Sequence, residues 1–334
     1  MNAKLLGTTG NEELALVHTL QLGRDEDFIV ETVDSVDPRY PRRDKTVIII
    51  STQFGCPVGC PMCEAGGSYL GNLSADQMLE QVRFVLRQRP EILHSRKLKV
   101  HFARMGEPAL NGPAVLQALE RLPTLLPTPH LMPCVSSAAP AAAAPFLGEL
   151  GWLKRRLYRG GRFQLQLSVN STDPALRRRL IPVPQLELEA LARLGERFFE
   201  QGDRKPALNF ALARGIPLDP ARLRELFDPR CFMVKLTPVN PTERARLAGL
   251  DSVLSAARPE AARDLVAQLR GAGFDVVVSI GEAEEISIGS NCGQLVRARR
   301  ALTSVDASVI GIDGTKQMRR QQSIGQRDTG MPGG

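Results

Sequence analysis

The chain has 334 residues, of which 43% are hydrophobic and 24% charged, with a formal net charge of +7. That composition supports a packed core and excludes a disordered chain, and six cysteines are too few for a disulfide scaffold. The most apolar stretch, 138–153, is short and broken by proline, so no bilayer-spanning segment is expected. The N-terminal MNAKLLGTTGNEELAL has neither the basic head nor the unbroken apolar run of a signal peptide, and a cytoplasmic location follows as the expectation.

In chain order, residues 1–45 read as an irregular N-terminal extension with one hairpin around Phe28–Val36. From there short β-branched or apolar runs alternate with helical patterns. The predicted strands are Thr46–Ser51, Leu98–Ala103, Leu131–Ser136, Phe163–Ser168, Ala207–Leu212, Cys231–Leu236 and Asp275–Ser279. The predicted helices are Ser74–Gln88, Pro113–Leu122, Ala141–Leu150, Glu187–Gln201, Asp219–Phe227 and Pro259–Ala272. Ser74 is the N-cap of the first helix, with Met78, Leu79, Val82, Val85 and Leu86 on one face. Such alternation implies parallel strands joined by crossover helices, an α/β fold closed wholly or partly into a barrel over residues 46–300. Active sites of such barrels gather at the C-terminal ends of the strands. Residues 301–334 read as a flexible basic tail. From Arg297 onward seven basic residues face three acids, a charge that gives sequence-blind attraction to polyanions. The 35 arginines against eight lysines equally fit a bias of genomic base composition.

Directly after the first barrel strand, STQFGCPVGCPMCEAGG places Cys56, Cys60 and Cys63 on one loop. Three thiolates so spaced suit three corners of an iron–sulfur cluster, leaving one iron without a protein ligand. Structural zinc would want a fourth Cys or His, and neither His94 nor His101 belongs to a ligand-spaced pair; free thiols are the remaining alternative. The second strand runs into Ala103-Arg104-Met105-Gly106-Glu107-Pro108, a carboxylate placed to accept hydrogen bonds from a ligand's ammonium group. The third ends in Cys134-Val135-Ser136, the fourth in Ser168-Val169-Asn170, and the sixth runs into Thr237-Pro238-Val239-Asn240. Each alone is an ordinary turn or cap sequence; together they put small polar groups at one end of the barrel.

These segments resemble the radical S-adenosylmethionine (SAM) enzymes, and within them the ribosomal-RNA adenine methyltransferases of the RlmN and Cfr type. The likeness runs from Ile29 to Arg300 through VETV (30–33), GCPVGCPMC, GNLSADQMLEQV (71–82), MGEPALN (105–111), LQLSVNSTDPALRRRLIPV (165–183), LTPVNP (236–241) and NCGQL (291–295). It implies a partial (β/α)6 barrel in which Cys56, Cys60 and Cys63 hold a 4Fe–4S cluster. It implies further that Glu107 receives the SAM ammonium while Ser136, Ser168 and Asn240 contact the rest of SAM. Cys292, on the loop 289–295, matches a cysteine methylated by a first SAM; a radical made from a second SAM then lets that methyl carbon add to C2 or C8 of adenine. Those amidine carbons are not nucleophiles, so direct polar transfer from SAM cannot reach them. Glu31 matches a glutamate near the target base, a hydrogen-bond or proton-transfer partner. The electron donor implied is of the flavodoxin or ferredoxin type.

The chain departs from this pattern in several places. Ile49 stands where the family carries a second thiol that releases the product, so Cys134 is the expected substitute. Asn170 replaces a histidine after the fourth strand, and Met62 an aromatic residue. Only 55 residues precede Cys56, too few for the family's N-terminal RNA-binding domain. The acceptor expected is therefore adenine in RNA or in a smaller adenine-containing molecule. The alternatives are a peptide or natural-product substrate for the same chemistry, and a degenerate SAM-binding paralogue. The basic runs 154–162 and 177–179 are either walls of an acceptor groove or solvated helix faces.

Overall fold

A computed structural model describes residues 2–296 except 24, 38, 282 and 291–295. The strands are β1 (Lys4–Asn11), β2 (Ala15–Gln21), β3 (Ile29–Val36), β4 (Thr46–Ile50), β5 (Gln53–Phe54), β6 (Gly71–Asn72), β7 (Leu98–Phe102), β8 (Leu131–Ser137), β9 (Gln164–Ser168), β10 (Ala207–Leu212), β11 (Met233–Pro238) and β12 (Asp275–Val278). The helices are α1 (Ala75–Gln88), α2 (Gly112–Leu125), α3 (Ala143–Leu157), α4 (Pro174–Leu180), α5 (Leu188–Phe198), α6 (Pro220–Leu226), α7 (Glu243–Leu247), α8 (Arg263–Gly271) and α9 (Ala283–Ser287). β4 and β7 to β12 pair in sequence order, all parallel, so six strand–helix units are followed by a seventh strand. The sheet curls around a lumen with helices outside it, the partial barrel expected.

Alternation along the strands explains the two-sided build. Ile48 and Ile50, Val100 and Phe102, Leu208 and Phe210, and Val234 and Leu236 are all 0% exposed beneath the helices. Burying each such side chain is worth about 1.5–3 kcal/mol. α1 starts where predicted: Ser74 Oγ accepts from the Gln77 amide at 3.2 Å, and Gln77 Oε1 accepts from the Ser74 amide at 2.8 Å. Its neighbour Gln81 is spent inside: Oε1 accepts from Thr32 Oγ1 (2.9 Å) and the Ser51 amide (2.8 Å), and Nε2 donates to the Ser51 carbonyl (2.9 Å).

The first 45 residues differ from expectation. They form three antiparallel strands, β1–β2–β3, joined through β3 to β4 as one continuous ten-stranded sheet. Ile29–Val36 is a single strand and not a hairpin; its buried Glu31, Thr32 and Asp34 break the apolar pattern that would have marked it. α3 also runs on to Leu157 because Lys154 is buried, and β11 begins two residues later than predicted. Cys134 falls at the centre of β8 rather than at its end, since the strand continues to Ser137. No helix among the described residues is long and apolar enough to cross a membrane.

Candidate active site

The cysteine loop leaves the C-terminal end of β4, as barrel logic requires. Its shape is held by backbone bonds: Gly67 N donates to Cys56 O (3.2 Å), Cys63 N to Cys60 O (3.1 Å), and Gly66 N to Cys63 O (3.2 Å). The start of α7 pins it from the far side, with Thr242 Oγ1 donating to Met62 O (3.3 Å) and Arg244 Nη2 to Gly59 O (3.2 Å). Cys56 and Cys60 pack against Val58, Leu180 and Ile181. Burial raises all three thiols, Cys56 to about 12, and the charges of neighbouring thiols and Glu107 add to the rise at Cys56 and Cys60. Among the described residues no three His, Cys, Asp or Glu side chains converge on one point as a single ion needs. Three thiols on one loop are the donor set a cubane cluster takes, one to each of three irons, and its positive charge would offset the cost of ionising them.

Glu107 sits beside the loop, 4% exposed. Gly106 takes φ +99° there, and a Cβ on it would lie 2.7 Å from Thr52 Oγ1 and Gln53 Cβ, so only glycine fits the turn. Oε1 of Glu107 accepts from the Ala109 amide (2.9 Å) and Ser137 Oγ (2.6 Å), and Oε2 from the Ala138 amide (2.7 Å). Burial pushes the carboxyl upward and these donors pull it back. A carboxylate offers about four acceptor positions, so one remains for a ligand's ammonium.

Glu31 is fully buried and its partners are unlike those expected of a base-contacting residue. Arg104 Nε donates to its Oε2 at 3.0 Å, and Arg104 Nη2 donates to the same oxygen. The other oxygen, Oε1, accepts from the Val296 amide at 2.8 Å. Arg104 also donates to the carbonyls of Ser290 (2.5 Å) and Gly289 (2.6 Å). This one ion pair therefore holds both stems of segment 291–295. Cys292 itself lies outside the described residues, as does the predicted tail 301–334.

Below the rim, inward-facing residues form a polar network across the lumen. Gln166 Oε1 accepts from Lys235 Nζ on β11 (3.0 Å), while its Nε2, which has two hydrogens to give, lies within hydrogen-bond distance of His101 Nε2 on β7 (2.9 Å), Ser136 Oγ (3.0 Å) and Cys134 Sγ (3.3 Å) on β8. Ser136 Oγ also lies 2.7 Å from His101 Nε2. Burial, with Lys99 and Lys235 nearby, keeps His101 neutral by holding it well below the usual histidine range. The hydroxyl of Ser136 is thus engaged with protein, Ser168 ends β9 half-buried, and Asn240 lines a cavity above β11. Asn170 is structural: at φ +62° its Oδ1 accepts from the Ala211 amide (3.1 Å), tying β9 to β10. Cys231 lies just before β11, at the opposite end of the barrel.

Two cavities meet at Pro238, Asn240 and Gly281. One, about 390 Å³ and mainly apolar, includes Leu250 and Leu254; the other, about 360 Å³, is the lumen, lined by Ile49, His101, Arg104, Lys235, Thr237 and Ser290. Lys154 is buried on the Phe198 carbonyl (2.8 Å) and Asp203, Arg156 pairs with Glu120 over Trp152, and Arg177 is buried against the Leu186 carbonyl (2.7 Å). Sequence reasoning missed Arg104, Gln166 and Lys235. Their signal was available as polar residues alternating with buried apolar ones in Lys99–His101, Gln164–Gln166 and Lys235–Thr237.

No family model matches the chain. It is 33% identical over 283 residues, 80% of its length, to a "Probable dual-specificity RNA methyltransferase RlmN" of Frankia alni, and covers 64% of that protein. A protein of the same name from Synechococcus sp. is 30% identical over 84% of the chain and 77% of its own length. The chain spans slightly under two thirds of the two Frankia relatives, 64% and 61%. Among solved structures, a radical SAM methyltransferase from Sphaerobacter thermophilus superposes with a TM-score of 0.69 over 88% of this chain and 81% of that one; at 21% identity the likeness establishes the shared fold.

Proposed function

The chain belongs to the RlmN family, and on that premise we propose that it is a radical SAM methyltransferase that methylates an sp2 carbon of adenine in RNA, with Cys292 carrying the methyl group. The observation that carries this reading is the buried Glu31–Arg104 pair, which ties residues 289, 290 and 296 beside the strand ends that bear the cysteine loop and Glu107. A carrier cysteine has to face both SAM and acceptor, and its loop stems are fixed where both would meet. Orientation of this kind is worth several kcal/mol of barrier.

Cys56, Cys60 and Cys63 would hold a 4Fe–4S cluster. When bound, and reduced by a donor of the flavodoxin or ferredoxin type, the cluster supplies the electron that cleaves SAM to a deoxyadenosyl radical. Glu107 accepts the SAM ammonium at its remaining acceptor position, and Ser168 and Asn240 line the space for the rest of SAM. Ser136 contributes its one unused lone pair. The Cys292 thiolate takes a methyl group from SAM by displacement, the sulfonium leaving as a neutral thioether. After the carbon joins adenine, and the adduct has returned one electron to the electron-donor chain and lost the ring proton, a second thiolate attacks the Cys292 sulfur; an S–S bond forms as the S–CH2 bond breaks, and the freed carbon keeps that electron pair and takes up a proton to become the methyl group. Cys134 is the described thiol outside the cluster loop that faces the lumen, and we assign it that role. Glu31 acts through Arg104 and the loop stems as a positioning residue.

The test is peptide mass spectrometry after anaerobic cluster reconstitution and incubation with SAM. One methyl group on Cys292 is expected; unmodified Cys292 in protein that still cleaves SAM would overturn the reading. Product release from Cys134→Ala at the parent rate would remove Cys134 from it.

A further inference from the structure

The lumen below the proposed methyl-transfer site contains two lysines, Lys99 and Lys235, that have no carboxylate partner among the described residues. Lys235 lines the cavity and spends one of its three N–H donors, on the neutral Gln166 Oε1. Lys99, inward-facing on β7, has no hydrogen-bond or ion-pair partner among the described residues. The charged groups acting on Lys235 are Lys99, Lys45 and the Cys134 thiol, with no carboxylate among them. The carboxylates nearby are committed: Glu31 to Arg104, Asp37 to Arg39 (2.8 Å) and Lys45 (2.5 Å). Glu285, on the wall shared with the Asp37 cleft, has an interaction of its own.

We propose that the barrel lumen is a binding site for a phosphate group, held by Lys235 and Lys99. A phosphate brings several acceptor oxygens and up to two negative charges, answering two lysines that no described carboxylate pairs with, and lysine serves as its point-charge partner. The space is adequate, since about 360 Å³ lies within the range of small-ligand pockets. At about 3.3 Å per residue, Lys235 stands roughly 10 Å below Pro238 at the strand end. That depth is comparable with the reach from base to phosphate in a nucleotide whose adenine lies at the rim. The phosphate could equally be free. The anion site follows from the lumen residues and does not depend on the methyl-transfer reading.

Isothermal titration of the full chain with adenosine 5′-monophosphate, inorganic phosphate and adenosine tests it. A phosphate-bearing probe is expected to bind, and Lys235→Met and Lys99→Met are each expected to weaken it at least tenfold, while adenosine affinity stays unchanged. Adenosine monophosphate binding tenfold tighter than inorganic phosphate would assign the site to a nucleotide; equal affinities would assign it to free phosphate. No binding of either, or variants that bind as tightly as the parent, would overturn the proposal. Lys99→Met keeps the test decisive if Lys235→Met fails to fold, because Lys99 has no described partner to lose.

Discussion

The two faces of the barrel sheet obey different rules. Along β7, Leu98, Val100 and Phe102 face the helices at 0% exposure, while Lys99 and His101 between them face the lumen half-buried. β11 repeats the contrast with Val234 and Leu236 outside and Lys235 and Thr237 inside. In a fully closed eight-stranded barrel the interior is packed with branched side chains. Here the interior is polar and hollow, so the fold rests on one face of each strand and leaves the other to chemistry. Stability and function are thereby assigned to residues one position apart.

The strongest way to break that contrast is on the outer face. Phe102→Ala should destabilise by about 3–5 kcal/mol, read as a lowered denaturant midpoint, because a filled site cannot collapse around the loss. If it costs no more than a typical surface change, the outer face is not the foundation of the fold. Arg104→Met probes the rim, where the contrast blurs because an inward-facing ion pair is fully buried. Leaving Glu31 uncompensated should cost about 3–5 kcal/mol, and adding Glu31→Gln should recover part of it. A smaller effect sharpens the inner face. Burial, with Lys99 beside it, lowers Lys235 to about 8. Its folded pKa lies below the free value, so the cation is present below that pH and lost above it. Phosphate affinity should therefore fall as pH rises from 7 to 9, and titrations at the two pH values would check it.

The outer face was legible in the sequence and the inner one only partly. Apolar runs such as Thr46–Ile50 and Ala207–Leu212 announce strands whatever surrounds them, and Ser74 with Gln77 announces a helix start. The cysteine triplet and Glu107 were visible because their spacing is local. The Glu31–Arg104 pair was not, since its members are 73 residues apart, and Glu31 alone read as a partner of the acceptor base. Gln166 was hidden for a similar reason: its partners come from three other strands, brought together only by curvature. The lead-in was misread because β1 is exposed and glycine-bearing and β3 carries buried polar side chains, both of which mask period-two alternation.

The direction of β3 has a consequence for how the chain could be divided. Because it runs against β4, its N-terminal end lies beside the C-terminal end of β4, where Ser51 Oγ donates to the Glu31 carbonyl at 2.7 Å. A parallel neighbour would have carried Glu31 to the far end of the barrel. The first 45 residues are therefore not a detachable module. A chain starting at Thr46 would expose β4 as a raw edge open to pairing with other molecules, and would strand the Arg104 guanidinium in the interior. Any shuffling of this barrel onto a new N-terminal partner has to keep the meander with it.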